Sequence, residues 1–454
     1  MQLLLEIGKI FITTFFFSLI TPMFWVVLFL IYTQYRRQAA IEKKLFGRVL
    51  NPIGRQMLLS AAPGLAGGLL ASGVLIILGL SLEQIGLYYI WPVALLLLLI
   101  NPRYLCFSYA GSIVASGAII TKHLLIPLFP ALENYTFFTA LLEIHIPALL
   151  VLIGLLHLVE ALLIYSSGYQ GSTPVYLKQD NGQVVGAFML QRFWPLPLVA
   201  LLVAVVAQSE IAGVSMPEWW PILSSAIEPE AGQGLQYMII PVAAGLGYSD
   251  LALASTPRMR STFSAKWLAF YSIILLAVAI ISESWSIFVL PGIMFAPVGH
   301  ELLILLGKKH EEEAGKLFVQ GERGVPLMMV LPDTPAAKSG LINNDLILRI
   351  NGQEVNSSYE LMSAVDQSYF LVLIEGKRGQ EDLSLILNKG KQEAGSGAEP
   401  TEIQGRLTRN NPLLHRIAAL GLIPVPPPES PVYLETRKPD LLGWLKNIFA
   451  RFKR

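Results

Sequence analysis

Long, almost uninterrupted apolar runs fill the first two thirds of the chain, at about 10–32, 57–80, 137–164, 194–213, 235–254 and 267–306. The stretch 85–120 is equally apolar but interrupted at Asn101-Pro102-Arg103. A bilayer core calls for about 20 mostly apolar residues per helix, because each backbone polar group must be satisfied within the segment. The last run is long enough for two spans with a break near Ser282-Glu283-Ser284, and 85–120 is long enough for two more. The pattern therefore predicts an all-α polytopic membrane domain with 8–9 transmembrane helices over residues 1–307. Its first run is a retained anchor, since Arg36, Arg37, Lys43, Lys44, Arg48 and Arg55 follow it and no small-residue cleavage site precedes them.

From Gly315 the period changes. Short runs rich in branched residues, Leu317–Gln320, Val325–Leu331, Leu346–Ile350, Phe370–Glu375 and Asp382–Leu387, read as strands. A short helix is expected at Pro335–Ser339 and a longer one at about Ser358–Gln367, with Leu361, Met362 and Val365 on one face. This predicts a small α+β domain over 312–390, a partly open β-barrel with two helices. Residues 391–410 read as a flexible linker of Gly, Ser, Glu and Lys. In the tail, 411–454, a short helix is expected at Asn411–Leu422, and Pro424-Val425-Pro426-Pro427-Pro428 reads as an extended spacer. Leu441, Leu445, Ile448, Phe449 and Phe452 recur at helical spacing near Trp444, beside Lys446, Arg451, Lys453 and Arg454. That is a basic amphipathic helix suited to an anionic membrane surface, the competing reading being packing onto the small domain.

Composition sharpens the division. Mean hydropathy is +0.56 and 14% of residues are charged, which excludes an ordinary soluble domain. The first 306 residues hold 14 of the 33 Lys/Arg and 14 of the 32 Asp/Glu, leaving 19 and 18 for the last 148. A net charge of +1 gives no case for nucleic acid, and a single cysteine, Cys106, leaves no disulfide and no Cys-ligated metal domain to expect.

Polar residues inside apolar runs are costly, so each is a candidate for chemistry. His157 and Glu160 lie three apart on one helix face, and Glu143 and His145 open the same run. A metal or proton site built from them is conceivable, but interfacial placement or an interhelical hydrogen bond accounts for them better. Glu210, Asp250, Glu283 and Glu301 fall near span ends. A membrane metalloprotease needs His-Glu-x-x-His on one helix, but after His300-Glu301 position 304 is isoleucine; Ser166-Ser167-Gly168 lacks the first glycine of a rhomboid-like Gly-x-Ser-Gly, and no nucleotide-binding loop occurs. The reading is non-enzymatic, with no cofactor and no metal.

The segment from Leu331-Pro332-Asp333-Thr334-Pro335-Ala336-Ala337-Lys338-Ser339-Gly340-Leu341 through Asn344-Asp345-Leu346-Ile347-Leu348-Arg349-Ile350-Asn351-Gly352 resembles a bacterial PDZ domain of the HtrA and site-2-protease type. The resemblance implies a groove in which a strand accepts a peptide by main-chain pairing. It assigns Gly315, Lys316, Leu317, Phe318 and Val319 to the carboxylate loop and accepting strand, and Leu361, Met362 and Val365 to the facing helix. A multispan block followed by a PDZ domain resembles the MinJ family of division-site topology adaptors, whose members bridge the scaffold DivIVA to the MinD system. This implies a bacterial, non-enzymatic scaffold in the plasma membrane that recruits a peptide or protein partner, including division-site scaffold proteins, at the cytoplasmic face. Two other classes stay open: a regulator or adaptor of membrane proteolysis, and a transporter or channel with a PDZ regulatory domain.

With nine spans, one set of loops (33–56, 101–103, 165–192, 255–266) carries 12 Lys/Arg and the other, with residues 1–9, carries two, Lys9 and Lys122. Positive loops stay in the cytoplasm, so the N-terminus faces out and the PDZ domain and C-terminus face in. A C-terminal green fluorescent protein fusion is expected to fluoresce and a C-terminal alkaline phosphatase fusion to be inactive. An active phosphatase would reverse the orientation.

Overall fold

The computed structural model describes residues 2–83, 85–211, 216–217, 219–223, 229–389 and 411–435. The amphipathic stripe at Leu441–Phe452 and the linker at 391–410 lie outside these residues.

The first apolar run is not one helix. α1 (Gln2–Ser18) and α2 (Pro22–Phe46) meet at a 50° bend, where Pro22 removes a helical donor and starts a new helix at its first position. α3 (Ile53–Leu78) follows, then α4 (Leu87–Ile100) and α5 (Phe107–Ile120), parted at Asn101-Pro102. α5 continues through a wider turn at Thr121–Leu125 into α6 (Ile126–Leu128). α7 (Thr136–Leu142) is short, and α8 (Ile146–Ser167) is the central, most enclosed helix, with α9 (Pro257–Ser284) along one side. α10 (Val289–Glu313) leads out of the bundle. Among the described residues, five helices are long and apolar enough to cross a membrane: α3, α5 with α6, α8, α9 and α10; the bent α1–α2 pair makes a sixth candidate.

The runs at 194–213 and 235–254, expected to be two more transmembrane helices, are instead the arms of a β-hairpin, which corrects the all-α reading. β1 (Thr173–Lys178) pairs antiparallel with β2 (Val184–Ala207), and β2 pairs antiparallel with β3 (Gln233–Ala252). An apolar run does not by itself separate buried helix from buried strand. Here Pro195 and Pro197 would each remove a hydrogen bond inside a helix, and Gly245 and Gly247 with Val199, Val203, Val205 and Val206 favour the extended chain.

Both prolines sit on the β2 edge that faces away from β3, where no ladder bond is lost. That edge lies along α3. The Phe193 N–H donates to Tyr35 Oη at 3.2 Å, the Val199 N–H to Ser72 Oγ at 2.8 Å and the Val203 N–H to Glu83 Oε2 at 3.2 Å, while the Leu201 carbonyl accepts from the Leu82 N–H at 2.9 Å. Gly64 and Gly68 meet the Pro195 and Pro197 carbonyls so closely that a Cβ would stand 2.3 and 2.2 Å from them. The outer side of β3 rests on α1 and α2, where Phe24, Val27, Ile31 and Tyr35 pack with Ala243.

The PDZ unit comprises β4 (Val325–Val330), α11 (Pro335–Lys338), β5 (Leu346–Ile350), β6 (Gln353–Glu354), α12 (Ser358–Gln367), β7 (Leu371–Arg378) and β8 (Glu381–Asn388). Thr334 caps α11, Gly340 takes φ +92° after it, and Asn351-Gly352 turns with φ of 51° and 80°. Buried Asp345 accepts two hydrogen bonds of 2.8 Å from Arg378, tying the 340–345 turn to β7. α13 (Pro412–Leu420), β9 (Leu422–Pro424) and β10 (Leu434–Glu435) complete the described chain. The strand order is β8-β7-β5-β4-β9 in the PDZ sheet and β10-β1-β2-β3 in the other.

If close approach of β2 to α3 holds the hairpin, Gly68→Ala should destabilise the full chain in detergent by about 1–3 kcal/mol through overpacking. Gly73→Ala, on the same helix with nothing within 4 Å of the new Cβ, should leave stability unchanged or raise it by about 0.5–1 kcal/mol. Apparent melting temperatures of the two variants, compared with wild type, test this; equal losses would refute it.

Candidate functional site

β4 has two edges. One pairs with β5, Val325 opposite Ile347 and Pro326 opposite Leu346, extended by the Leu327 N–H donating to the Asp345 carbonyl at 2.8 Å. The strand expected to accept a peptide, facing Leu361, Met362 and Val365, was Leu317–Gln320, yet those residues form no strand. Phe318 makes a single antiparallel bridge, to Gly186 of β2, whose N–H donates to the Phe318 carbonyl at 2.8 Å. The Phe318 ring is buried and meets Phe188 edge-on at 5.1 Å. Leu317 donates its N–H to the Leu253 carbonyl at 3.1 Å, and Lys316 Nζ reaches the carbonyls of Glu311 and Glu312 at the end of α10. Gly315 is exposed, as are Leu317 and Val319. The segment is a strap from α10 across the hairpin sheet. It looked like a strand because branched and aromatic residues suit any half-buried extended chain.

The position beside β4 is taken by the chain's own C-terminal segment. β9 pairs antiparallel with β4, Leu327 opposite Pro424, Met329 opposite Ile423 and Val330 opposite Leu422. The Leu331 N–H donates to the Gly421 carbonyl at 2.9 Å, and the Val425 N–H donates to the Pro326 carbonyl at 3.1 Å. From the other side of the groove, Ser358 Oγ on α12 donates to the Val425 carbonyl. Leu361, Met362 and Val365 are buried, in one continuous core with Leu414, Ile417, Leu420, Leu422, Ile423 and Val425. Arg416 on α13 pairs with Asp366 on α12 at 3.1 Å. The expected helix at 411–422 is present, but the proline-rich stretch is no solvated spacer. Pro424, Val425 and Pro426 are buried, and the Pro428 carbonyl accepts from the Val184 N–H at 2.8 Å. A proline costs nothing at an edge position, and extended backbone is what strand addition requires.

The same segment holds the PDZ unit to the hairpin sheet and to the end of α2. β10 pairs parallel with β1, Leu177 opposite Leu434, and Tyr176 Oη donates to the Pro424 carbonyl at 2.8 Å. Arg48, just past the end of α2, donates to the Ala419 carbonyl at 3.2 Å, a cation at the C-terminal end of α13. His415 lies over Gly47; a Cβ there would meet its ring at 2.7 Å. Burial pushes the His415 imidazole below its ordinary value of 6.5, partly offset by its hydrogen bonds to the Lys44 and Leu45 backbone.

Elsewhere, Glu160 of the predicted His157–Glu160 pair stays half-buried on α8, while His157 turns inward to Cys106, with its Nε2 3.1 Å from Sγ. His145 pairs with Glu283 at 3.4 Å. Two polar pins were not foreseen. Buried Arg260 bonds Asp250 through two 2.9 Å contacts and donates to the Gly307 carbonyl, and buried Glu311 accepts from the Leu253 and Ala254 N–H groups at 2.7 Å. Together they lock the end of β3 and the start of α9 to the exit of α10. Charged residues near span ends were the signal in the sequence; Arg260 and Asp250 lie 10 residues apart, whereas Glu311 reaches back 58 residues to Leu253.

A family model described as PDZ domain matches residues 306–383. The chain is similar to the cell division topological determinant MinJ of Bacillus subtilis (strain 168), 22% identical over 363 residues, which are 78% of this chain and 85% of the relative. The probable cell division topological determinant MinJ of Lacticaseibacillus paracasei is 28% identical over 233 residues, 50% of this chain and 58% of that relative. Serine protease HTRA1 of Xenopus laevis is 36% identical over 77 residues, 17% of each chain. Likeness to a protease is thus confined to the PDZ portion, whereas the likeness to MinJ extends over most of the chain.

Because undocked His415 takes up a proton before docked His415 does, docking of residues 411–425 is at full strength above about pH 6.5 and weakens as pH falls below it. Amide exchange of Leu422 and Ile423, corrected for intrinsic rates, should be faster at pH 5.5 than at pH 7.5. Equal protection at both would show that His415 does not control docking.

Proposed function

We propose that this protein is a membrane-anchored PDZ adaptor serving cell-division topology, and that its groove works by accepting an extended segment as an added strand. The apolar helices supply the anchor, and the likeness to MinJ supports the division role. The observation that carries the proposal is the seat of Leu422–Val425 between β4 and α12. It has the main-chain pairing and apolar side-chain burial of a strand-addition complex.

A partner that uses this groove must displace the resident segment. The expected order is release of β9 from β4, loosening of α13 from α12, and entry of the partner's strand. Leu361, Met362 and Val365 then act as the apolar wall, and the edge N–H and C=O groups of β4 as the register. Residues Gly315–Val319 serve this scheme as the strap that positions the unit on the hairpin sheet, with Phe318 as its anchor. The basic end of α2 and the Lys308-Lys309 exit of α10 support a PDZ domain that faces the cytoplasm of a bacterial cell, where division-site scaffold proteins are the partners. The work is recruitment; no step needs a bond to be made or broken.

Gly421 gives a way to test this. It ends α13 with φ +96°, and a Cβ there would lie 1.9 Å from Thr334 Oγ1, so Gly421→Ala should unseat β9. A labelled peptide of this chain's residues 418–428 should bind the full-length Gly421→Ala variant in detergent at least about tenfold more tightly than wild type, whose own segment competes. Equal binding to both would remove strand acceptance as the groove's mode. A fluorescent fusion of the wild-type chain is expected at division sites in growing cells, and uniform membrane fluorescence would remove the division role.

A further inference from the structure

The single cysteine, which the sequence reading left without a metal partner, does not stand alone. Cys106 follows the α4–α5 break and caps the N-terminus of α5, where the Ser108 N–H points at its sulfur at 3.4 Å. His157 from the middle of α8 brings Nε2 to 3.1 Å from Sγ, and His300 from α10 brings Nε2 to 4.0 Å. The three donor atoms all lie within 4.8 Å of one another. Around a tetrahedral Zn²⁺ the sulfur–nitrogen and nitrogen–nitrogen separations are about 3.6 and 3.3 Å, given metal–ligand distances of about 2.3 and 2.0–2.1 Å. Small rotations of the three side chains bridge the difference.

The surroundings orient each imidazole toward the centre. His157 Nδ1 lies 2.7 Å from the Ile153 carbonyl, which can only accept. Nδ1 therefore carries the proton, and the Nε2 lone pair faces Cys106. Tyr109 Oη donates to Glu301 Oε2 at 2.7 Å and so is left to accept from His300 Nδ1, 3.4 Å away. Glu301 is itself held by Arg103. Both histidines thus direct Nε2 lone pairs at one thiol, which has one proton to offer. Paired outer partners of this kind fix metal-ligating histidines.

We propose that Cys106, His157 and His300 bind a borderline-soft divalent cation of the Zn²⁺ class, with the fourth coordination position open. His157 is 3% exposed, whereas Cys106 and His300 are half-buried, which leaves the open position on their side. The second histidine missing at position 304 of α10, where Ile304 stands, is supplied from α8. A bound cation would clamp the start of α5 to α8 and to α10, the helix that leads to the PDZ unit. Glu301 is engaged by Arg103 and Tyr109, so it is not free to act as the base of a metalloprotease, and the role proposed is binding.

Full-length protein in detergent, stripped with a chelator, should take up Co²⁺ with a sulfur-to-metal charge-transfer band and the visible bands of a tetrahedral site, and Zn²⁺ should displace both. Cys106→Ser retains a hydroxyl able to cap α5; it should abolish the charge-transfer band and weaken binding on the order of 100-fold, without shifting the elution profile. Tyr109→Phe, which removes the partner of His300 Nδ1, should weaken binding about tenfold. Absence of the charge-transfer band in wild type, or its survival in Cys106→Ser, would overturn the site. Uptake of Cu⁺ with neither Co²⁺ nor Zn²⁺ bound would overturn the assignment to a Zn²⁺-class cation.

Discussion

An open strand edge packed among apolar helices is the constraint on which this architecture turns. In a membrane each unpaired backbone N–H or C=O costs several kcal/mol, and the outer edge of β2 exposes a row of them beyond the reach of β1. The chain answers with α3. Pro195 faces Gly64, Pro197 faces Gly68 and Val199 faces Ser72, so every second strand residue meets every fourth helix residue. Two strand residues advance about 6.6 Å and four helix residues about 6.0 Å, which keeps strand and helix in step over these turns. Proline removes donors where no acceptor is at hand, glycine lets the carbonyls approach, and Ser72, Tyr35 and Glu83 take the N–H groups that remain.

From that seam the rest follows outward. A hairpin held rigidly against α3 presents its proximal end as a platform, to which β1 adds on one side. Phe318 docks onto that platform through Gly186 and Phe188, and β10 extends it through β1. Buried charges fix the borders. Glu42 at the end of α2 accepts from the Leu50 and Asn51 N–H groups and from Thr173 of β1, and Arg260 with Asp250 and Glu311 does the equivalent at α9 and α10. Each of these buried ions has partners that offset its desolvation. Removing one partner would leave a charge stranded at the junction that positions the PDZ unit.

Much of this was legible in the sequence, for reasons that differ by element. The PDZ strands and helices from Val325 to Asn388 follow local rules: Thr334 and Pro335 start α11, Gly340 ends it, and Asn351-Gly352 turns the chain. The helix breaks at Asn101-Pro102 and near Ser284 are likewise local. The hairpin was misread because length and apolarity outweighed Pro195, Pro197, Gly245 and Gly247, although those residues argued against helices. The strap at 317–320 and the segment at 422–425 could not be told apart by pattern, since both are short, apolar and extended. Which one lies beside β4 depends on tertiary fit, including the space at Gly421 against Thr334. Cys106, His157 and His300 come from three separated stretches, so no spacing rule could have joined them. His157 was paired with Glu160 on its own helix, and the failed His-Glu-x-x-His at His300 pointed along α10, so neither hint led across to the other.

A groove filled by its own chain changes what affinity means for any partner. The resident segment is tethered, so it competes at a high effective concentration whatever the partner's level in the cell. If it is docked 99% of the time, an incoming strand binds about 100-fold more weakly than to an open groove. That factor need not be constant, because docking is a sum of separable contacts: β9 on β4, Arg416 on Asp366, Arg48 at the end of α13, and β10 on β1. Two of these lie at the end of α2 and the edge of β1, away from the groove. On the proposed release of the segment, whatever alters the end of α2 or the edge of β1 would alter groove occupancy without touching the groove itself. The two places would then be linked through one segment with docked and released states, which is the thermodynamic requirement for one to regulate the other.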